Sequence, residues 1–249
     1  MSCPEVCHLP TPQSGRRARG IPLGSSPGSA YGAPPFRAPT PLRSTMKLYE
    51  NPFSSAAMKV RAVIHELGLP VTSVTVDMPK GEHKSPEFLA KNPNGKVPTL
   101  EDNGFCLYES NAILCYLAAH KPESGLMPAD PKGMALVQQW LQWQATTFGP
   151  STTEVMMETV YAKMMGRTKD EAKYAAGMEK VRRDLAVLEK SLAGKEFLCG
   201  KLSLADFSLV SCLQLRALMG VDLEAFPHVK AWVARMEARE SVRKSLPPM

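Results

Sequence analysis

Residues 92–113 read NPNGKVPTLEDNGFCLYESNAI and carry the pattern that decides the fold. Two β-prone runs, 97–100 and 105–107, flank the turn-forming segment 102–104, and this arrangement predicts a β-hairpin. The hairpin leads into an apolar stretch with helical spacing, and the acid and hydroxyl at 109–110 favour a helix N-terminus there. The stretch therefore predicts a ββα unit.

The segment before this unit predicts a strand, a helix and a second strand. A strand at 46–49 ends at the breaker pair Asn51-Pro52, and the β-branched run 71–76 predicts the next strand. Between them Gly68 stops a helix in which apolar residues recur on one face, namely Ala56, Val60, Val63, Ile64 and Leu67. Residues 46–121 are therefore expected to form an α/β domain with the order βαβ, then ββα.

After residue 121 no segment has the character of a strand. A linker at 122–131 precedes an all-helical domain at 132–249, with helices predicted at 132–165, 168–193, 203–219 and 227–241. The first of these helices is expected to bend near Gly149-Pro150. Ser203 and Asp206 fit a capping box at the start of the third, with Leu202 and Phe207 as its hydrophobic staple.

The distribution of charge argues against a nucleic-acid partner. Residues 1–45 hold five arginines and one acid, a net charge of +4, which leaves only +2 of the total +6 for the remaining chain. No basic stripe is interleaved with aromatic residues, and no run approaches the roughly 18 apolar residues of a membrane span. Neither nucleic acid nor a membrane is therefore an expected partner.

The six cysteines show neither a C-x-x-C pair nor the spacing of a zinc site or a disulfide framework. This pattern predicts free thiols in a reducing compartment, no bound metal, and a cytoplasmic location.

Residues 1–45 differ from the rest because they hold 9 of the 22 prolines and show no periodicity. Such a composition predicts a disordered segment, or a mis-assigned extension ahead of a true start at Met46. The Arg-rich, acid-poor character also resembles an organelle transit peptide, which we consider the weaker interpretation.

Two places carry candidate chemistry. Ser54 precedes a helix, where a hydroxyl either caps the helix or donates a hydrogen bond to an anion such as a thiolate. No nucleophile-elbow motif, and no His or acid at triad spacing, accompanies it. Glu109 and Ser110 open another helix, where they either cap it or bind the charged ends of a ligand.

Four motifs carry a family resemblance. Residues 92–98 and 107–113 resemble the core signature of cytosolic glutathione transferases. Residues 52–56 and 81–84 are similar to the plant phi class and its bacterial relatives. The resemblance extends from about Met46 to the C-terminus.

The resemblance implies a thioredoxin-like first domain, a helical second domain, and a homodimer that conjugates glutathione to small hydrophobic electrophiles in detoxification. Reduction of organic peroxides is a further activity of such enzymes. Glutathione is then a co-substrate, and no cofactor is expected. Ser54 is the expected catalytic residue, stabilising the thiolate, and Pro98 is expected to be cis. The expected glutathione-binding residues are His83, Lys84, Lys96, Val97, Pro98, Glu109 and Ser110.

Several alternatives remain open at this point. Ser55 is the rival to Ser54 as thiolate donor, and Lys96 stands where phi-class enzymes usually have Gln. A non-catalytic relative that binds ligands or scaffolds a complex is the alternative function, and a thioredoxin-type oxidoreductase is disfavoured without C-x-x-C. Some aromatic and Met side chains fit either the core or an electrophile pocket: Trp140, Trp143, Phe148, Met156, Met157 and Met164.

Overall fold

The computed structural model describes residues 46–247, so the interpretation of residues 1–45 lies outside the described part. A four-stranded sheet has the order β2-β1-β3-β4, with β1 and β2 parallel and the other neighbours antiparallel. Its strands are β1 (Lys47–Glu50), β2 (Thr72–Thr75), β3 (Thr99–Asp102) and β4 (Phe105–Tyr108). The predicted βαβ and ββα units are confirmed.

Helix α1 (Ser55–Leu67) connects the two parallel strands. Its apolar face is buried, and Gly68 ends it in the left-handed conformation with φ 61°, as predicted. The helix packs against α3 (Ser110–Ala119), which follows the hairpin. A short 3₁₀ turn, Glu82–Lys84, and α2 (Pro86–Leu89) fill the region before β3 that the sequence predicted to be a loop.

The second domain is helical, as expected. Its helices are α4 (Pro131–Trp143), α5 (Gly149–Glu158), α6 (Val160–Met164), α7 (Glu171–Leu192), α8 (Leu204–Val210), α9 (Arg216–Met219), α10 (Pro227–Glu237) and α11 (Glu240–Lys244). A 3₁₀ turn, Pro122–Ser124, lies between the two domains.

The long helix predicted at 132–165 is wrong in detail, because three helices replace it. A π-helical turn, Gln144–Phe148, separates the first two directly ahead of Pro150. Proline has no amide hydrogen to donate into the preceding turn, and a wider turn at this place accommodates the break. A second break falls at Thr159, whose φ of −115° and ψ of −81° leave the helical region.

The helices predicted at 203–219 and 227–241 are also each divided in two. After α8 the backbone amides donate to the carbonyl three residues earlier instead of four, which tightens the turn. The Ser211 hydroxyl donates to the Ser208 carbonyl at 2.9 Å. Arg239 is extended between α10 and α11.

The start of α8 confirms the predicted capping box. The buried carboxylate of Asp206 accepts hydrogen bonds from the Ser203 and Leu198 amides and from the Trp232 indole, each at 3.0 Å. No helix within residues 46–247 is long and apolar enough to cross a membrane.

Candidate active site

The turn between β1 and α1 holds Ser54. The Ser54 amide donates to the Asn51 carbonyl at 3.0 Å, and the Phe53 amide donates to the Asn51 side-chain oxygen at 3.1 Å. Ser54 is the N-cap of α1, because its Oγ accepts from the Ala57 amide at 3.3 Å. A hydroxyl that accepts in this way keeps its own hydrogen, so it remains able to donate to an anion.

Glu109 and Ser110 form the N-terminus of α3. Glu109 is the N-cap, but its side chain makes no capping hydrogen bond. Its φ of 68° is uncommon for a residue other than glycine, and such conformations cluster at functional sites. The Glu109 side chain therefore does not cap α3, and it is exposed to solvent.

The 3₁₀ turn Glu82–Lys84 packs directly against the loop that carries Lys96. Gly95 has φ +57°, and a Cβ there would lie 2.8 Å from both the His83 carbonyl oxygen and the Lys84 ammonium nitrogen. Only glycine fits this close approach. The Nδ1 atom of His83 is buried and has no hydrogen-bond partner among the described residues.

The peptide bond between Val97 and Pro98 is cis, as expected from the family resemblance. The side-chain amide of Asn92 fixes the preceding turn by donating to the Lys96 carbonyl at 2.8 Å and to the Thr99 hydroxyl at 3.1 Å. This arrangement places Val97 and Pro98 directly before β3.

An open cleft of about 1160 Å³ lies between the two domains. The structure brings Lys96, Glu109 and Ser110 together on its wall, with Ser55 at the start of α1. The other predicted site residues lie outside this lining: Ser54, His83, Lys84, Val97 and Pro98. Ser55 therefore remains a rival to its neighbour as thiolate donor.

Lys59 is a residue of the cleft that the sequence analysis missed. Its ammonium is buried and donates to the side-chain oxygens of Asn111 at 2.7 Å and Gln144 at 2.8 Å. Burial lowers the pKa of Lys59 to about 8, although Cys212 and Glu109 act to raise it. The available signal was a lysine at a helical position between apolar neighbours on the buried face of α1.

The turn at residues 51–54, which carries Ser54, is here called the serine turn. A second pocket, of about 570 Å³, opens beside it. Phe53 and Met164 line it together with Val160, Leu218 and several charged side chains. Of the six candidate wall residues, Trp140, Phe148 and Met156 are buried in the core and Trp143 packs against it, whereas Met157 and Met164 are exposed. Met164 alone among them lines this pocket.

Two family models match the chain. The N-terminal domain of glutathione S-transferases matches residues 44–119, and the C-terminal domain of the same family matches residues 152–240. The chain belongs to the glutathione S-transferase family. Its four-stranded sheet and its helical second domain are accordingly those of a transferase of this family.

Relatives cover nearly all of the described part. The probable glutathione S-transferase GSTF2 of Oryza sativa subsp. japonica is 36% identical, over 80% of this chain and 94% of the rice protein. Among solved structures, glutathione S-transferase I from maize in complex with an atrazine glutathione conjugate has a TM-score of 0.74 and 34% identity, over 81% of this chain and 96% of that one.

A theta-class transferase from the citrus canker pathogen Xanthomonas axonopodis pv. citri, with glutathione bound, has a TM-score of 0.76 and 30% identity. It covers 83% of this chain and 99% of the bacterial one. The plant relatives, rather than this theta-class one, confirm the resemblance to phi-like transferases.

The four cysteines that the structure describes are not joined by disulfide bonds. Cys106, Cys115, Cys199 and Cys212 are free, and no group of three or more His, Cys, Asp or Glu residues between 46 and 247 has the arrangement of a metal site. Cys115 lines the cleft, and burial raises the pKa of its thiol, which lowers the share of the reactive thiolate form.

Proposed function

We propose that this protein conjugates glutathione to apolar electrophiles, with Ser54 as the donor that stabilises the glutathione thiolate. The observation that carries the proposal is the cleft where Glu109, Ser110 and Lys96 face the N-terminus of α1. Relatives named glutathione S-transferases, one of them solved with a glutathione conjugate, support this function.

Glutathione has charged groups at both ends, and the cleft offers a partner for each. The exposed carboxylate of Glu109 suits the α-ammonium group, and the Ser110 hydroxyl with the amides of α3 suits the γ-glutamyl carboxylate. The Val97 backbone pairs with the cysteinyl residue in the manner of a β-strand. His83, Lys84 and Lys96 then hold the glycyl carboxylate.

The energy required for thiolate formation matches what one hydroxyl supplies. Lowering a thiol pKa from about 8.5 by one or two units requires roughly 1.4 to 2.7 kcal/mol. A charge-assisted hydrogen bond contributes about 1.5–3 kcal/mol, and the positive end of α1 adds to it. The thiolate sulfur then bonds to the electrophilic carbon, and the leaving group departs with its electron pair. Attack on a peroxide oxygen is the second reaction that this thiolate permits.

The pocket beside Phe53 is our proposed place for the electrophile. Phe53 adjoins Ser54 in the chain, and the Tyr161 hydroxyl donates to the Phe53 carbonyl at 3.4 Å, which brings α6 to the serine turn. Phe53, Met164 and Leu218 give this pocket an apolar surface. A small hydrophobic electrophile there would lie on the helical-domain side of the thiolate.

We also propose a homodimer in the cytoplasm. Phe105 on β4 and Leu136 on α4 expose about half of their apolar surface, at 52% and 48%, and a second copy of the chain would cover such surface. The free cysteines of the described part fit a reducing compartment.

Paired serine variants test the mechanism. In Ser54→Ala we expect the bound thiol pKa to rise by one or two units, and activity at neutral pH to fall about ten- to a hundredfold. Activity should recover partly at higher pH, because the thiol then ionises unaided. Ser55→Ala serves as the matched control and should be mild.

The measurements are pH–rate profiles and thiolate absorbance for both variants. A shifted profile in Ser55→Ala alone would move the donor by one residue. If neither profile moves, serine activation is wrong. Failure of the wild-type protein to bind glutathione would favour the alternative, a non-catalytic ligand-binding or scaffold protein.

A further inference from the structure

The guanidinium of Arg61 holds the serine turn through the Pro52 carbonyl. One nitrogen, Nη2, donates both to the Pro52 carbonyl at 2.9 Å and to the Ser245 carbonyl at 2.6 Å, and Nε donates to Ser245 at 3.1 Å. The other nitrogen, Nη1, pairs with the Glu50 carboxylate. We propose that the Glu50–Arg61 pair is a positioning device that sets the place of the Ser54 hydroxyl. This inference rests on the proposed role of Ser54.

The pair is built into the interior. The side chains of Arg61 and Glu50 are only 12% and 6% exposed, and the Ser73 hydroxyl donates to the second carboxylate oxygen. Burial lowers the pKa of Arg61 to about 10, so the guanidinium is still charged at neutral pH. Two buried charges require compensation from each other and from further hydrogen bonds, and both have it here.

The guanidinium joins the turn to the C-terminal segment, which is itself fixed. Ser245 is fully buried, and its Oγ accepts from the Gln214 side chain at 3.0 Å and donates to the Val242 carbonyl at 2.7 Å. Two side chains therefore hold the serine turn. Arg61 donates to the Pro52 carbonyl, and Tyr161 donates to the Phe53 carbonyl.

Loss of the hydrogen bond from Arg61 should displace the Ser54 hydroxyl and leave glutathione binding largely unchanged. The Pro52 carbonyl lies two residues before Ser54, and a misplacement of about 1 Å at a reacting centre costs on the order of a hundredfold in rate. Arg61 does not line the cleft that holds Glu109 and Ser110. A positioning role therefore predicts an effect on kcat and thiol pKa, and little effect on the glutathione KM.

A purely structural role needs a separate control, because Arg61→Met alone leaves Glu50 buried and unpaired. The double variant Glu50→Gln/Arg61→Met removes both charges and keeps an acceptor for Ser73. The chain also offers a matched pair at the other end of α1. Arg239 binds Glu66, with Nε at 3.3 Å, and likewise links α1 to the C-terminal helices without touching the serine turn.

The experiment measures melting temperature, bound-thiol pKa by thiolate absorbance, and kcat and KM for glutathione at pH 6.5. We expect Glu50→Gln/Arg61→Met to melt higher than Arg61→Met. Both should show a thiol pKa raised by about half a unit to one unit and a kcat lowered about three- to tenfold, with KM within about twofold. Arg239→Met should lower the melting temperature and leave the thiol pKa unchanged.

Ser54→Ala measured in parallel separates the two ideas. A double variant with wild-type thiol pKa and kcat, beside a shifted Ser54→Ala, overturns the positioning role and leaves the proposed function standing. An unshifted Ser54→Ala overturns the serine mechanism, and the positioning role with it.

Discussion

At the scale of single residues, Glu109 combines an uncommon backbone conformation with a side chain that makes no capping hydrogen bond to the helix it precedes. A φ of 68° lowers the stability of the fold at any residue other than glycine, and no capping hydrogen bond from the Glu109 side chain offsets this loss. The carboxylate is therefore expected to have been kept for the ligand.

Substitution at this position should change glutathione affinity and stability in opposite directions. Glu109→Gln should raise the glutathione KM about tenfold or more, because the ligand's ammonium loses its counter-charge. Glu109→Gly should raise KM similarly and also stabilise the fold by about 0.5–1 kcal/mol, since glycine adopts positive φ freely. Steady-state kinetics and urea unfolding measure the two effects. An exposed carboxylate outside the cleft, Glu123→Gln, is the control, and equal KM values in all three variants would place the glutathione site elsewhere.

Residue roles were predictable from sequence only where they are set locally. The N-cap at Ser54, the stop at Gly68 and the capping box at Ser203 depend on neighbours within a few positions, and the structure contains all three. The partners of Lys59 were not predictable, because its acceptors Gln144 and Ser208 lie 85 and 149 residues away. The anchoring of the serine turn by Arg61 depends in the same way on Ser245, which is 184 residues distant.

At the scale of elements, the pattern predicted which segments form helices and strands better than where the helices are interrupted. The patterns predicted the succession of strands and helices in the first domain and the helical segments of the second, but periodicity does not reveal breaks that leave the apolar spacing unchanged. The π-helical turn before Pro150 and the tight turns at 211–215 are such breaks. The sequence indicates the break before Pro150 through the proline itself. The break at 211–215 instead depends on the Ser211 hydroxyl, which competes with backbone amides for the Ser208 carbonyl.

The capping box of α8 should be far more sensitive than an ordinary N-cap. Asp206 is fully buried, and both of its oxygens accept, from two amides and one indole nitrogen. Asp206→Asn turns one acceptor into a donor that faces other donors, so we expect a loss of about 1–3 kcal/mol in unfolding free energy. The same change at the exposed N-cap of α7, Asp170→Asn, should cost less than about 0.5 kcal/mol, because Asn caps as well as Asp. Equal losses in urea unfolding would contradict this explanation.

At the scale of the whole molecule, a buried polar cluster around Lys59 joins the two domains. The ammonium of Lys59 on α1 reaches Asn111 on α3, and from the helical domain Gln144 and Ser208, the last at 3.4 Å. Within residues 46–247, the hydrogen-bond acceptors of this ammonium are neutral side-chain oxygens, so a single buried charge is held without a carboxylate partner. The junction behind the cleft is therefore expected to respond to pH.

The direction of that response follows from the pKa of Lys59, which burial lowers from 10.5 to about 8. Between these two values the unfolded chain binds a proton that the folded chain has released. The unfolding free energy of the wild type should therefore rise with pH, relative to Lys59→Met, by at most about 1.4 kcal/mol per pH unit. Below pH 8 both states are protonated, and the difference between the two proteins should be constant. Urea unfolding from pH 6.5 to pH 10 measures it. Lys180→Met, which removes an exposed partner of Glu154, should run parallel to the wild type. A constant difference between wild type and Lys59→Met across the whole range would mean that Lys59 keeps its proton, and that the neutral oxygens around it compensate its burial fully.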